Sequence, residues 1–113
     1  MRIEDYSFGR MKVAGKIYTE DLIVFPDKIK AHWWRKEGHS LCLEDLKEVL
    51  PEAPLILIVG TGAYGVMRVP GELKKELAKT GIKVIQLPTE KAVAEYNKRA
   101  EREKVVGAFH LTC

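Results

Sequence analysis

One glycine-rich motif in the sequence has the spacing of a ligand-binding loop. Gly60-Thr61-Gly62-Ala63-Tyr64-Gly65 matches the pattern Gly-x-Gly-x-x-Gly and directly follows the apolar run Leu55–Val59. Glycines let the backbone approach a phosphate closely, and open α/β sheets bind ligands at the carboxyl ends of their central strands. The motif is therefore consistent with a dinucleotide site, with a looser anion- or ligand-binding loop, or with a tight turn that binds nothing.

Two features of the surrounding sequence depart from the dinucleotide fingerprint. Its third glycine should lie inside the next helix, but Val66–Val69 delay that helix until Pro70. Its ribose-binding acid should close the next strand, but the strand predicted at Lys83–Leu87 is followed by Pro88. In the looser interpretation, a nearby arginine supplies positive charge to an anionic ligand. The candidate ligand-binding residues of this loop are Gly60, Thr61, Gly62, Tyr64 and Arg68.

A second candidate cluster is His32-Trp33-Trp34-Arg35-Lys36-Glu37-Gly38-His39. Arg35, Glu37 and His39 alternate, so in an extended chain they would point the same way and could form a site. A Glu–His pair can do acid–base work, and an arginine can hold a carboxylate or a phosphate. In the competing interpretation, one tryptophan fills the core and the charged residues line a surface loop. A metal site is disfavoured because the spacing matches no metal-binding motif.

The overall composition limits the classes of partner. The 113 residues include 19 basic and 16 acidic side chains, and the net charge of +3 is too small to indicate a nucleic-acid partner. No apolar run approaches the roughly 20 residues needed to span a bilayer, and the N-terminus lacks the apolar segment of a signal peptide. Cys42 and Cys113 are the only cysteines. Two distant cysteines are typical of reduced thiols, so we expect a cytoplasmic protein.

The polar residues also carry a signature of heat stability. Lysine and glutamate are abundant, whereas Gln86 and Asn97 are the only side-chain amides. Such a bias is typical of thermophile proteins, and we expect a melting temperature above the mesophile range. The length and the absence of a linker predict a single domain over residues 1–113.

The N-terminal third of the chain is predicted to form β-hairpins. Met11–Val13 and Lys16–Tyr18 flank the turn Ala14-Gly15, and Leu22–Phe25 and Lys28–Ala31 flank Pro26-Asp27. Farther along, an apolar stripe at helical spacing predicts a helix that ends before Pro51. The residues of this stripe are Leu43, Leu46, Val49 and Leu50.

The second half of the chain alternates strands and helices. Leu55–Val59 is apolar on both faces, which predicts a central strand covered on both sides. A helix from Pro70 connects it to the strand at Lys83–Leu87, so the two strands should be parallel. Thr89 should cap the next helix, and Val105–Leu111 should form the last strand. Asn97, on the apolar face of that helix, is expected to brace a loop such as Gly60–Gly65.

The chain resembles an uncharacterised Mth-domain family. The similarity is carried by Trp33–His39, by Gly60-Thr61-Gly62, by Pro88-Thr89 with Ala92 and Tyr96-Asn97, and by Phe109–Cys113. Relatives of the family are the adipogenesis-associated Mth-domain-containing protein and mitochondrial complex I assembly factor three. The resemblance implies a three-layer β+α/β/α fold. Its central sheet would be mixed and mostly parallel, with about five strands, and an N-terminal β-hairpin layer would cover one face.

The resemblance implies no reaction and no cofactor. It favours a protein-interaction or assembly-factor-like module, and the β-rich N-terminal third could expose an edge for a partner or for a homodimer. The alternative is a small-molecule or anion-binding protein, or an enzyme, with a pocket where Gly60–Gly65 meets Arg35, Glu37, His39 and Arg68. Without a complete catalytic set in the sequence, the balance leans away from an enzyme.

Overall fold

A computed structural model describes all residues 1–113 and contains two β-sheets and two α-helices. The first sheet is antiparallel and has the order β1-β2-β3, and the second has the order β5-β4-β8-β6-β7. The strands are β1 (Ile3–Ser7), β2 (Arg10–Val13), β3 (Lys16–Tyr18), β4 (Leu22–Val24), β5 (Ile29–Lys30), β6 (Ile56–Thr61), β7 (Lys83–Leu87) and β8 (Val105–His110). The helices are α1 (Gly71–Lys79) and α2 (Thr89–Ala100), and neither is long and apolar enough to cross a bilayer.

β6 and β8 form the centre of the five-stranded sheet. Every residue of both strands is buried, as the continuous apolar runs in the sequence predict. β6 pairs in parallel with β7 on one side and with β8 on the other, whereas β4 pairs antiparallel with β8 and with β5. The predicted mixed sheet and the parallel crossover through α1 are confirmed.

Two apolar cores cover the two faces of this sheet. One joins the sheet to α1 and to the segment 41–50 through residues such as Trp33, Leu46 and Leu77. The other joins it to α2 and to the three-stranded sheet through residues such as Met11 and Tyr96. The arrangement confirms the expected three-layer β+α/β/α architecture with an N-terminal β layer.

The helix predicted at residues 43–50 is wrong in type. The chain forms two short 3₁₀ helices, Leu43–Leu46 and Leu50–Glu52, in which each N–H reaches only three residues back. The Asp45 carboxylate accepts a hydrogen bond from the Cys42 amide, as in a capping box, and one from the Lys36 amide, which ties this segment to the residues before it. The predicted inward residues Leu46 and Val49 are nevertheless fully buried.

Two polar side chains of α2 have different partners from those predicted. Thr89 is the first residue of α2, and its hydroxyl bonds the Gly62 amide (2.9 Å) and the His110 carbonyl (2.6 Å) instead of capping the helix. Asn97 bonds the backbone N and O of Ile3, so it fixes β1 rather than the glycine loop. Both residues connect layers, which the sequence pattern alone does not reveal.

Candidate functional site

A buried polar network lies where β8 ends beside β4. His110 Nδ1 is 2.8 Å from Asp21 Oδ2, and Arg35 Nη1 is 2.8 Å from the same carboxylate oxygen. Asp21 Oδ1 also accepts a hydrogen bond from the Leu111 amide at 2.8 Å. Because a carboxylate only accepts, the Nδ1 proton of His110 points to Asp21, and Arg35 Nη2, 3.2 Å from the same nitrogen, then contacts it without a hydrogen bond. Residues from three segments of the chain thus meet around one carboxylate.

The network holds Asp21 in its charged form. Burial alone would raise the pKa of Asp21, but the hydrogen bonds from His110 and Leu111 and the charge of Arg35 outweigh burial and lower the pKa below its ordinary value. The Arg35 Nη1 contact is off the direction of an N–H bond, so it is an ion pair without hydrogen-bond geometry. Arg35 Nε, Arg35 Nη1 and His110 Nε2 are buried without a hydrogen-bond partner.

The Arg35 guanidinium is held by residues on both sides of it in the sequence. Its guanidinium carbon lies 4.8 Å from the centre of the Trp33 ring, and Nη2 donates to the Gly38 carbonyl at 3.0 Å. Trp33 is buried, and its indole N–H donates to the Asp45 carbonyl. The competing interpretation of this cluster is therefore correct for Trp33, which fills the core.

Arg35, Glu37 and His39 do not share one face of the chain. Arg35 is buried, whereas Glu37 and His39 are exposed. The chain turns between Glu37 and Ser40, which form an isolated β-bridge, so the expected alternation of an extended strand is lost. The His39 ring nevertheless lies 5.9 Å from the His110 ring. No three His, Cys, Asp or Glu side chains lie together as metal ligands would.

The glycine loop is packed against other parts of the same chain. A Cβ at Gly60 would lie 2.9 Å from Phe109 and from Thr89, and a Cβ at Gly62 would lie 2.7 Å from the Thr112 carbonyl. Gly62 also has a φ of 103°, which favours glycine. These glycines are therefore explained by close packing and by a turn.

The backbone amides of this loop are largely occupied. The amides of Gly62, Ala63, Gly65 and Met67 donate to Thr89, Thr112, Gly62 and Thr61 respectively. No helix begins at the loop, since α1 starts at Gly71. The geometry lacks the free amides and the helix N-terminus with which a dinucleotide loop holds its phosphates.

Of the remaining candidate residues, Tyr64 and Arg68 have exposed side chains and Thr61 is buried. Thr61 pairs with His110 across β6 and β8, and its hydroxyl donates to the Leu87 carbonyl. The Arg68 backbone amide donates to the His39 carbonyl. The structure thus brings Arg35, His39, Thr61 and Gly62 around His110, whereas Glu37, Tyr64 and Arg68 face solvent.

Three aromatic side chains are exposed at the end of the molecule where β8 ends: Phe8, Trp34 and Tyr64. We call this surface the aromatic end. Their exposed fractions are 57%, 86% and 75%. The Phe8 and Tyr64 rings lie 6.4 Å apart. Trp34 and Thr112 line a cleft of about 440 Å³. The Thr112 carbonyl accepts a hydrogen bond from the Ala63 amide, beside Tyr64, and the adjacent Leu111 carbonyl accepts one from the Gly9 amide, beside Phe8.

Nothing in the sequence pattern predicts Phe8, Asp21 and His110 as members of this region. His110 lies in an apolar strand, and a polar side chain in such a strand needs a buried partner. Asp21 directly precedes the apolar strand β4. These two signals indicate buried polar residues, but nothing in their spacing of 89 positions indicates that they pair.

Comparison with solved structures identifies similar folds over nearly the whole chain. A conserved hypothetical protein from Pyrococcus horikoshii is 29% identical with a TM-score of 0.84, and the match covers 100% of both chains. A protein from Bartonella henselae described as an outer membrane protein is 26% identical with a TM-score of 0.83, covering 98% of this chain and 94% of the other. A Mth938-like domain from Bordetella pertussis is 19% identical with a TM-score of 0.76, covering 97% and 85%.

A family described as a protein of unknown function, DUF498/DUF598, matches residues 3–110. The match includes all of the strands and both helices described above. The resemblance to an uncharacterised Mth-domain family is therefore confirmed, and the chain belongs to the DUF498/DUF598 family.

Proposed function

We propose that this chain is a protein-interaction module that binds a partner protein through the aromatic end. The observation that carries the proposal is the exposure of Trp34, Tyr64 and Phe8, at 86%, 75% and 57%. Large aromatic side chains are enriched at protein interfaces, where they supply most of the binding energy. Their exposure in the free chain leaves apolar surface that a partner would cover.

The support under these aromatic residues favours a preformed binding surface. Trp34 lies between Trp33, whose indole is fixed in the core, and Arg35, which is held by the network of Asp21 and His110. Tyr64 lies in the glycine loop, which is bonded to Thr89 and Thr112 through the amides just before it. A rigid surface loses little conformational entropy on binding, which increases the affinity that the aromatic contacts provide.

Affinity capture with matched variants tests this proposal. The double variant Trp34→Ala/Tyr64→Ala removes the aromatic surface, whereas Leu55→Ala removes an apolar side chain that is 61% exposed at the opposite end of β6. We expect one protein to be captured in stoichiometric amount by the wild type and by Leu55→Ala. The double variant should lose at least about 100-fold in affinity for that protein, because two interface hot spots are removed.

Purified partner and chain should then be titrated against each other by calorimetry. Retention of full affinity by the double variant, with a wild-type melting temperature, would place the interface elsewhere. Failure of the wild type to capture any protein at stoichiometric amount would contradict the proposal itself.

A second candidate function is binding of a small anion in the cleft beside Trp34. The observation that favours it is that Arg35 lines this cleft of about 440 Å³ and its Nε atom lacks a hydrogen-bond partner, whereas Nη1 is paired with Asp21. An arginine with a donor left over is suited to a carboxylate or a phosphate. Lys36 lines the same cleft and adds positive charge, although Glu20 and Asp21 in the lining and Glu44 beside Lys36 oppose it.

Thermal shift against nucleotides, sugar phosphates and carboxylates tests this second candidate. A ligand at 100 times its Kd should stabilise the fold by about 2.7 kcal/mol, which raises the melting temperature by several degrees. Lys36→Ala should weaken the shift, and Arg68→Ala, outside the cleft, should leave it unchanged. The absence of any shift across the panel would exclude this function for those ligands.

A further inference from the structure

β7 is an edge strand that no other element covers, and it is the longest regular edge strand of the two sheets. It ends the five-stranded sheet and has five residues, whereas the opposite edge strand β5 has only two and β3 has three. β1 is also five residues long, but Asn97 occupies both backbone groups of Ile3 and the strand is irregular between Ile3 and Asp5. Natural proteins keep edge strands short, irregular or covered, and β7 is none of these.

The hydrogen-bonding groups on the free side of β7 belong to alternate residues. The Lys83 amide donates to the Leu55 carbonyl at 3.0 Å, so Lys83 faces inward toward β6. Backbone groups of successive residues point to opposite sides of a strand. The N–H and C=O groups of Val84 and Gln86 therefore face outward, without a strand beside them.

We propose that β7 pairs antiparallel with β7 of a second copy of this chain, around a twofold axis at Ile85. This register places Val84 opposite Gln86 of the second copy, and all of the outward N–H and C=O groups then form hydrogen-bonded pairs. Ile85, whose backbone groups face inward, lies opposite itself as a non-hydrogen-bonded pair. A one-residue slip would oppose outward groups to inward ones, so the pattern of β7 selects this register.

The side chains of β7 fit pairing with itself. Ile85 is half-buried among the apolar residues on the α2 face, and an Ile85–Ile85 contact across the axis would extend that core. Lys83 lies opposite Leu87 rather than opposite another lysine, so no like charges face each other directly. On the other face, Gln86 of the second copy has space in a groove of about 380 Å³ beside Ala78 and Val84.

Such an interface is isologous, because both copies use the same surface. It would join two five-stranded sheets into one continuous sheet. Phe8, Trp34 and Tyr64 contribute nothing to it, so the inference stands independently of the proposed function.

Sedimentation equilibrium of the full chain tests the inference. We expect the wild type to reach twice the 12.8 kDa of one chain as concentration rises. Gln86→Pro removes an outward N–H that no bond within the chain uses, and proline is tolerated at such edge positions. It should weaken dimerisation at least about tenfold, and Gln86→Ala, which keeps the amide, should dimerise like the wild type.

Disulfide trapping tests the register without relying on a proline. In a Cys42→Ser/Cys113→Ser background, Ile85→Cys should form a covalent dimer under mild oxidation, because residues of a non-hydrogen-bonded pair on the axis lie close together. Val84→Cys, which would face Gln86 of the second copy, should form no covalent dimer. A wild type that stays monomeric throughout, a dimer that Gln86→Pro does not weaken, or equal trapping at both positions would overturn the inference.

Discussion

Asp21 is the residue through which three parts of the chain are joined. Its carboxylate contacts His110, Arg35 and the Leu111 amide, and its carbonyl accepts a hydrogen bond from the Trp33 amide at 2.8 Å. The strand β4, the segment of the exposed Trp34 and the end of β8 therefore depend on one side chain. Because the Arg35 side chain is only 5% exposed, loss of this carboxylate leaves a buried positive charge without a counter-charge.

Replacing Asp21 by asparagine should destabilise the fold. We expect the free energy of unfolding at neutral pH to fall by about 3 kcal/mol, because breaking a buried ion pair leaves the other charge unpaired. Urea unfolding followed by circular dichroism measures the change. Asp27→Asn, at an exposed position in the turn between β4 and β5, should have little effect.

The same pair of proteins tests the titration of Asp21. Its pKa is lowered in the fold, so the carboxylate stabilises the protein above the ordinary pKa of 3.8 and loses this effect as the pH falls through the lowered value. The difference in unfolding free energy between wild type and Asp21→Asn should therefore shrink below pH 3.8. A difference that stays constant through the acid range would contradict this account.

Tyr96 carries a buried hydroxyl without a hydrogen-bond partner. Its ring packs edge to face on Phe109 with centroids 5.9 Å apart. Tyr96→Phe keeps that contact and removes the unsatisfied hydroxyl, so we expect an increase of about 1 kcal/mol in the free energy of unfolding.

Burial raises the pKa of Tyr96 to about 12 from 10.0, so stability should fall as the pH rises from 10.0 toward 12 in the wild type and less in the variant. A loss of stability in Tyr96→Phe at neutral pH would show that the hydroxyl is satisfied after all.

At the scale of elements, the glycine in the middle of β8 lets two aromatic rings cover the central sheet. A Cβ at Gly107 would lie 2.5 Å from the Phe109 ring and 2.9 Å from the Tyr96 ring. Gly107→Ala should therefore lower the free energy of unfolding by about 2 kcal/mol, because the rings of a packed core must move. Gly71→Ala, at the start of α1 with nothing within 4 Å, should be neutral or slightly stabilising. Equal effects of the two substitutions would contradict the packing explanation, and urea unfolding measures both.

The elements that could be predicted from sequence are those with a local signal. The strands β6 and β7 follow from apolar runs, and Ala14-Gly15 adopts the positive φ values of a tight hairpin turn. The segment at Leu43–Leu50 has the apolar spacing of a helix but forms 3₁₀ turns, and spacing does not reveal the bond between the Lys36 amide and the Asp45 carboxylate.

The candidate site was predictable only in part, because its key contacts are distant in sequence. The sequence predicts Arg35 as a possible ligand-binding residue, but its contacts with Asp21 and His110 depend on β4 and β8 being neighbours. The glycine motif was located correctly at the end of a central strand. Its spacing could not indicate that Thr89, Phe109 and Thr112 fill the space around the glycines.

At the scale of the whole molecule, the three-stranded sheet is attached to the rest through Leu111. The Leu111 carbonyl accepts hydrogen bonds from the Gly9 amide and from the Tyr6 hydroxyl, and its side chain is fully buried with β1, β2 and α2. Residues of both sheets thus share one core. The three-stranded sheet has no separate core that would let it unfold independently.

We therefore expect residues 1–113 to unfold as a single cooperative unit. Far-ultraviolet circular dichroism and tryptophan fluorescence should report coincident transitions in urea, since Trp33 and the sheets belong to the same structure. The lysine- and glutamate-rich composition predicts a melting temperature above about 65 °C. Separate transitions would contradict the prediction of one domain, and a lower melting temperature would contradict the prediction of heat stability.

The position of β8 has a consequence for how the protein is made. β8 is the last of the described elements along the chain, yet it lies between β4 and β6 and contributes to both cores. During translation, β4 and β6 cannot be joined into one sheet until residues 105–110, which form the strand between them, have left the ribosome. A polypeptide interrupted before β8 would expose the apolar faces of both halves, so quality-control proteases should remove it rather than let it accumulate as a partial fold.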